Sequence, residues 1–217
     1  MNHAILIAQV TSAPVTSNPA GSTPRSSFCV DVPPYREEDP PISLVAFTWG
    51  GLTKTAIDQI AIDRVTANSY LALTGRLRVE KNLTPELEVG SIHAVSPDEL
   101  PTLNSVCLVG RAGRDPEVRY LESGNAVANL SLAVNRIRRD DGTDWFNLEI
   151  WGKQAQVAAD YVHKGSLLGI TGSLNVQSWT DRGTGEGRSK LIVRVNRLDL
   201  LGPPRFNVLG PRGEGAA

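Results

Sequence analysis

The succession that decides the fold is Trp145-Phe146-Asn147-Leu148-Glu149-Ile150-Trp151, then residues 153–164, then Ser166-Leu167-Leu168-Gly169-Ile170-Thr171-Gly172-Ser173-Leu174. The first and last segments carry apolar and β-branched residues in alternation or short runs, which reads as strand. In the middle segment Ala155, Ala158, Ala159 and Val162 recur at helical spacing, and Gly165 stands where a helix C-cap belongs. Working outward, strands are expected near 104–112, 126–137, 145–151, 166–179 and 189–200. Five strands with one helix between the third and fourth is the layout of a five-stranded OB-fold barrel, whose face and loops serve oligonucleotides or oligosaccharides.

The same order occurs earlier in the chain, at a period near 100 residues. Ala4-Ile5-Leu6 answers Ser105-Val106-Cys107, Trp49-Gly50 answers Trp151-Gly152, Leu73-Thr74-Gly75 answers Ile170-Thr171-Gly172, and Leu87-Glu88-Val89 answers Leu191-Ile192-Val193. Strands near 3–11, 27–33, 42–49, 69–80 and 87–95, with a helix across 55–66, complete this unit. The fold expected is therefore all-β with one short helix per unit, two tandem OB barrels: residues 1–97, residues 103–201, and a Gly- and Pro-rich disordered tail over 202–217. The proline-bearing join around 96–102 reads as a semi-rigid spacer, and 15–25 and 33–41 read as loops.

The chain has 217 residues, 22 Lys+Arg and 23 Asp+Glu, so its formal net charge is −1. At face value that argues against nucleic acid, but the charge is unevenly shared. Residues 1–100 hold 7 basic against 11 acidic residues, net −4, and residues 101–217 hold 15 against 12, net +3. No apolar run approaches the roughly 20 residues of a membrane helix. Cys29 and Cys107, each between apolar neighbours, read as buried thiols with no C-x-x-C partner. A soluble protein of the reducing cytoplasm is expected.

An enzyme is not expected. Asp140, Asp141 and Asp144 cluster in a turn-like stretch, where solvated loop charge explains them without the metal ions of a nuclease. His3, His93 and His163 have no ligand spacing, and 183–187 is too poor in Lys for a P-loop. Neither a metal nor another cofactor is expected.

In the second unit Trp145 opens the third strand, Trp151 closes it and Trp179 ends the fourth. A separation of six puts Trp145 and Trp151 on one face of a strand. Set around them are Arg111, Arg114, Arg119, Arg136, Arg138, Arg139, Lys153, Lys164, Arg182, Arg188 and Lys190. Aromatic platforms interleaved with cations suit single-stranded nucleic acid, because every base has a π-face and every phosphate a negative charge. A strand-end Trp also serves as core, and Arg138-Arg139-Asp140-Asp141 also reads as a self-neutralising turn. Tyr120 and Tyr161 are assigned packing roles.

Several motifs of residues 104–201 closely resemble the bacterial single-stranded DNA-binding protein family. They are Asn104-Ser105-Val106-Cys107-Leu108-Val109-Gly110-Arg111, Arg114-Asp115-Pro116-Glu117-Val118-Arg119-Tyr120, Gly124-Asn125-Ala126, Thr143-Asp144-Trp145, Trp151-Gly152-Lys153, and Tyr161-Val162-His163-Lys164-Gly165-Ser166. The resemblance implies that Trp145, Trp151 and Trp179 are base-stacking positions and that Lys153, Lys164, Arg119 and Arg188 follow the phosphates. It puts Arg138 near a further stacking position, so that platform is either absent or supplied by the guanidinium.

The first unit resembles the family weakly. It keeps Trp49, with Arg76, Arg78 and Lys81, but has Ser43 near the place of Trp145 and Asn82 near that of Trp179. It is read as a degenerate unit that builds the assembly, with a marginal contact through Trp49. The implied function is sequence-independent binding and protection of single-stranded DNA in replication, recombination or repair, with RNA a weaker ligand. The implied assembly is a homodimer with four OB units. Since 212–217 offer no acidic segment with an apolar tip, tail-mediated recruitment of partners is not expected. The alternative is an accessory protein of replication restart or recombination that uses its OB pair for protein contacts.

Overall fold

The computed structural model describes residues 1–18, 23–34, 38–50, 69–80, 83–96, 103–122, 124–136, 142–181, 183 and 185–202. The helix expected over 55–66, the join over 97–102, the tail from 203 onward and the positions of Lys81, Asn82, Arg138, Arg139, Asp140, Asp141 and Arg182 lie outside them.

The first unit comprises β1 (Asn2–Val10), β2 (Val15–Ser17), β3 (Arg25–Val32), β4 (Ile42–Trp49), β5 (Tyr70–Arg78) and β6 (Glu86–Val95). The second comprises β7 (Asn104–Ala112), β8 (Glu117–Tyr120), β9 (Ala126–Asn135), β10 (Thr143–Trp151), helix α1 (Gly152–Tyr161), β11 (Leu167–Thr180) and β12 (Gly187–Leu200). Pairing runs β1–β3–β4–β6–β5 and back to β1, and β7–β9–β10–β12–β11 and back to β7. Each ring closes on five strands, so neither barrel leaves its core strands an open edge.

Inward–outward alternation shapes these barrels. Along β10 the residues Asp144, Phe146, Leu148 and Ile150 are buried while Trp145, Asn147 and Trp151 face outward. Inward residues from the ten barrel strands, among them Leu6, Leu44, Leu73, Leu87, Leu108, Leu130, Phe146 and Val193, form the buried core. Burying each such side chain is worth about 1.5–3 kcal/mol before the entropy cost. α1 docks Ala155 and Ala158 inward and ends at Tyr161, with Val162 as an extended C-cap residue. The stop therefore comes before Gly165, which instead takes φ +89° in the following turn.

Both units share two glycine devices. Gly50 and Gly152 follow their tryptophans at φ +61° and +59°, a left-handed conformation that a side chain disfavours. Gly75 and Gly172 sit at matching β-bulges, where a Cβ would lie 2.2 Å from the Glu88 carbonyl oxygen and 2.3 Å from that of Arg194. A third shared device was not read from sequence. Asn2 donates from Nδ2 to the Leu77 carbonyl and accepts from the Leu77 N–H, and Asn104 makes the same pair of bonds with Leu174.

These landmarks correct the expected repeat register. Ala4 pairs with Gly75 as Val106 pairs with Gly172, so Ala4 answers Val106 and not Ser105. Ala46 pairs with Leu87 as Leu148 pairs with Val193, so Leu87 answers Val193 and not Leu191. Apolar runs leave such slips open in sequence, whereas the buried face fixes them in the fold.

Other expectations change too. Residues 15–17 of an expected loop pair with β3 as β2, and β8 adds a short edge strand beside β9. Cys29 is exposed and Cys107 half-buried, because period-two alternation turns both outward between the inward Phe28 and Val30 and the inward Val106 and Leu108. The barrels are joined by more than a spacer: β1 and β7 pair antiparallel from Asn2↔Leu108 to Leu6↔Asn104, making one continuous sheet. Among the described residues, no helix is long and apolar enough to cross a membrane.

Candidate nucleic-acid interface

Cross-strand register places the three tryptophans and Arg111, Arg119, Arg188, Lys190 and Arg194 of the second unit on one outer face. Trp151 lies opposite Val127, which lies opposite Arg119 on β8. Trp145 lies opposite Ala133, which lies opposite Arg111. On the β11–β12 hairpin Trp179 faces Arg188 and Gln177 faces Lys190, while Arg194 stands beside Glu149 of β10. Trp145, Trp151 and Trp179 are 47%, 36% and 43% exposed, so they point outward and are not core. Six residues of strand separate Trp145 from Trp151, about 20 Å of extended chain.

Each of these indoles has its own support. The Trp151 Nε1–H donates to Glu149 Oε1 at 2.7 Å, and the Arg194 guanidinium lies 5.2 Å from the indole centre. Arg194, missed in sequence, was detectable from the alternation Arg188, Lys190, Arg194 along β12. Lys190 Nζ is 5.8 Å from the Trp179 ring, and Arg188 pairs with Asp181 at 3.2 Å across the hairpin end. The Trp145 indole lies against Gly113, where a Cβ would come 2.6 Å from Cζ3 and 2.6 Å from Ser131 Oγ. Gly113→Ala is therefore expected to displace this indole and shift its emission, with the fold kept. Tryptophan fluorescence beside circular dichroism checks both parts.

Lys153 follows Trp151 on the exposed start of α1, and Lys164 is exposed in the loop beyond it. Neither they nor Arg119 form an ion pair with another described residue. Arg111 donates to the Gly165 carbonyl at 2.9 Å, which ties the Lys164 loop to β7. Arg136 departs from expectation. Its side chain is only 11% exposed and bonds to Asp144 and Glu80, so it joins the two units and is not presented to a phosphate. Tyr120 and Tyr161 also depart, being 70% and 62% exposed. Tyr120 ends an edge strand, and Tyr161 lies outside the Ala155, Ala158 and Val162 stripe that packs inward.

The equivalent face of the first unit has different chemistry. Ser43 occupies the Trp145 position and donates to Asp31 at 2.7 Å. Glu88 occupies the Arg194 position, and Arg78 is paired to it at 2.8 Å. Arg25 is paired with Glu86 at 2.6 Å and stacks 4.1 Å from the Phe47 ring, while Trp49 meets Phe47 edge to face at 5.9 Å. Trp49 remains 41% exposed, but Arg25, 5.6 Å from its ring, is paired with Glu86, and Arg78 with Glu88. Among the described residues, no group of His, Cys, Asp and Glu is arranged to hold a metal ion.

A closed OB barrel bearing stacked-out tryptophans among cations defines a class of nucleic-acid-binding module. Residues 103–201 match the model of the single-strand binding protein family. Single-stranded DNA-binding protein 1 of Synechocystis sp. is 60% identical over 108 residues, 49% of this chain and 89% of the relative. The single-stranded DNA-binding protein of Thermosynechococcus vestitus is 63% identical over 103 residues, 48% of this chain and 86% of the relative. The crystal structure of the wild-type single-stranded DNA binding protein from Thermus aquaticus covers 99% of this chain and 97% of its own, with a TM-score of 0.68 and 23% identity, a likeness of fold. The chain belongs to the single-strand binding protein family, whose members are DNA-binding proteins and not enzymes.

Proposed function

We propose that this protein binds and protects single-stranded DNA with little regard to sequence, in replication, recombination or repair. The observation that carries this is the single outer face holding Trp145, Trp151 and Trp179 with Arg119, Arg188, Lys190 and Arg194. Bases stack on the indoles, and Arg119, Lys153, Lys164, Arg188 and Lys190 follow the backbone. Arg111 acts chiefly by fixing the Lys164 loop. RNA is a weaker ligand of the same face.

The domains run over 1–97 and 103–201, with 202–217 as a tail. The first unit, whose face carries Ser43 and Glu88 where the second has Trp145 and Arg194, builds the assembly and adds a marginal contact through Trp49. Two chains give four OB units, a homodimer working in the nucleoid.

Titration of intrinsic tryptophan fluorescence with oligo-dT, and with a duplex of equal length, tests the reading. Saturable quenching by oligo-dT and little by duplex is the expected result. Equal response to both would overturn it, because duplex bases offer no free π-face.

A further inference from the structure

The start of β10 is where the first unit reaches the proposed DNA face. The Val79 N–H donates to Asp144 Oδ1 at 3.0 Å, and the Trp145 N–H donates to the Val79 carbonyl at 3.1 Å. Arg136 donates to the same Asp144 oxygen from Nε at 3.1 Å and from a terminal nitrogen at 2.9 Å, and reaches Glu80 at 2.8 Å. Room for it is reserved at Gly142, where a Cβ would lie 2.9 Å from the guanidinium.

The Asp144 carboxylate is 4% exposed and the Arg136 side chain 11%. A charge so placed is costly unless it is paired and hydrogen-bonded. The equivalent inward position of the first barrel is Ile42, 2% exposed. A carboxylate thus replaces an aliphatic side chain in the barrel that receives the other unit's chain.

We propose that Val79, Asp144, Arg136 and Glu80 form an inter-unit clamp that positions Trp145. The first unit then contributes to single-strand binding without touching the strand, by holding the backbone of a platform in the second unit. Asp144 and Arg136 are positioning residues. The proposal rests on the stacking role given to Trp145 above, and its test separates the two.

In the full chain, Trp49→Phe, Trp151→Phe and Trp179→Phe leave Trp145 as the reporter. Val79→Pro deletes the donated N–H and keeps the carbonyl, and Arg78 before it already has the extended backbone that a proline requires. Asp144→Asn keeps the shape and an acceptor but removes the charge. Each variant is expected to lower the anisotropy and shift the emission of Trp145 in the DNA-free protein, and to weaken oligo-dT binding about tenfold, one platform's worth. A parallel reporter that keeps only Trp179 should hold its DNA-free emission. If either variant unfolds by circular dichroism, the other decides. Unchanged Trp145 emission, anisotropy and affinity in a folded variant overturns the clamp. Failure of oligo-dT to quench the unaltered Trp145 reporter overturns the stacking role instead, and the DNA-free anisotropy then decides the clamp by itself.

Discussion

Replacing Trp145 and Trp179 together by alanine is expected to cut affinity for oligo-dT by roughly 100-fold or more. Base–aromatic stacking contributes about 1–3 kcal/mol per base by alanine substitution, so two lost platforms cost about 2–6 kcal/mol, and 100-fold lies toward the lower end of that range. The two indoles stand on different parts of the face, at the start of β10 and the end of β11, and no contact between them couples the losses. Both are nearly half exposed, so the melting temperature should change little. Circular dichroism melts beside fluorescence anisotropy with labelled oligo-dT measure both quantities. An affinity within about threefold of the unaltered protein would remove stacking from the mechanism.

The second large effect is of salt. Affinity for a single strand falls with a log–log slope of about −0.7 for each phosphate neutralised, through counterion release. If about four of Arg119, Lys153, Lys164, Arg188 and Lys190 are engaged, the slope is about −2.8, and a tenfold rise in salt costs roughly 600-fold. Arg188→Gln with Lys190→Gln should make the slope shallower by about 1.4 while leaving the Trp145 signal in place. Arg136→Gln should leave the slope unchanged, since its charge is already held by Asp144 and Glu80. A slope near zero for the unaltered protein would exclude phosphate contacts as the source of affinity.

Legibility in the sequence followed how local each signal was. The strand–helix–strand succession around Trp151 and the strands of its earlier counterpart were readable, because alternation and Gly placement act over a few residues. Trp145 and Trp151 were rightly put on one face for the same reason. Cys29 and Cys107 were misread because apolar neighbours in a strand point the opposite way, so a flanking Phe28 or Val106 argues for an outward thiol. Arg136 was misread because a cation near a Trp in sequence has the same composition whether it meets a phosphate or a buried carboxylate. Its partner Glu80 is 56 residues away and in the other unit.

The sequence by itself determined two barrels, the five core strands of each, the outward tryptophans and the split of charge between units. Spacing and residue type carry that information within each strand. Only the tertiary structure decided the register between units, the β1–β7 pairing that fuses the barrels, the role of Arg136, and the pairing of Arg78 with Glu88 on the first face. Those features depend on which residues meet across tens of positions. Closing a ring of five strands selects one register from several that apolar runs alone would allow.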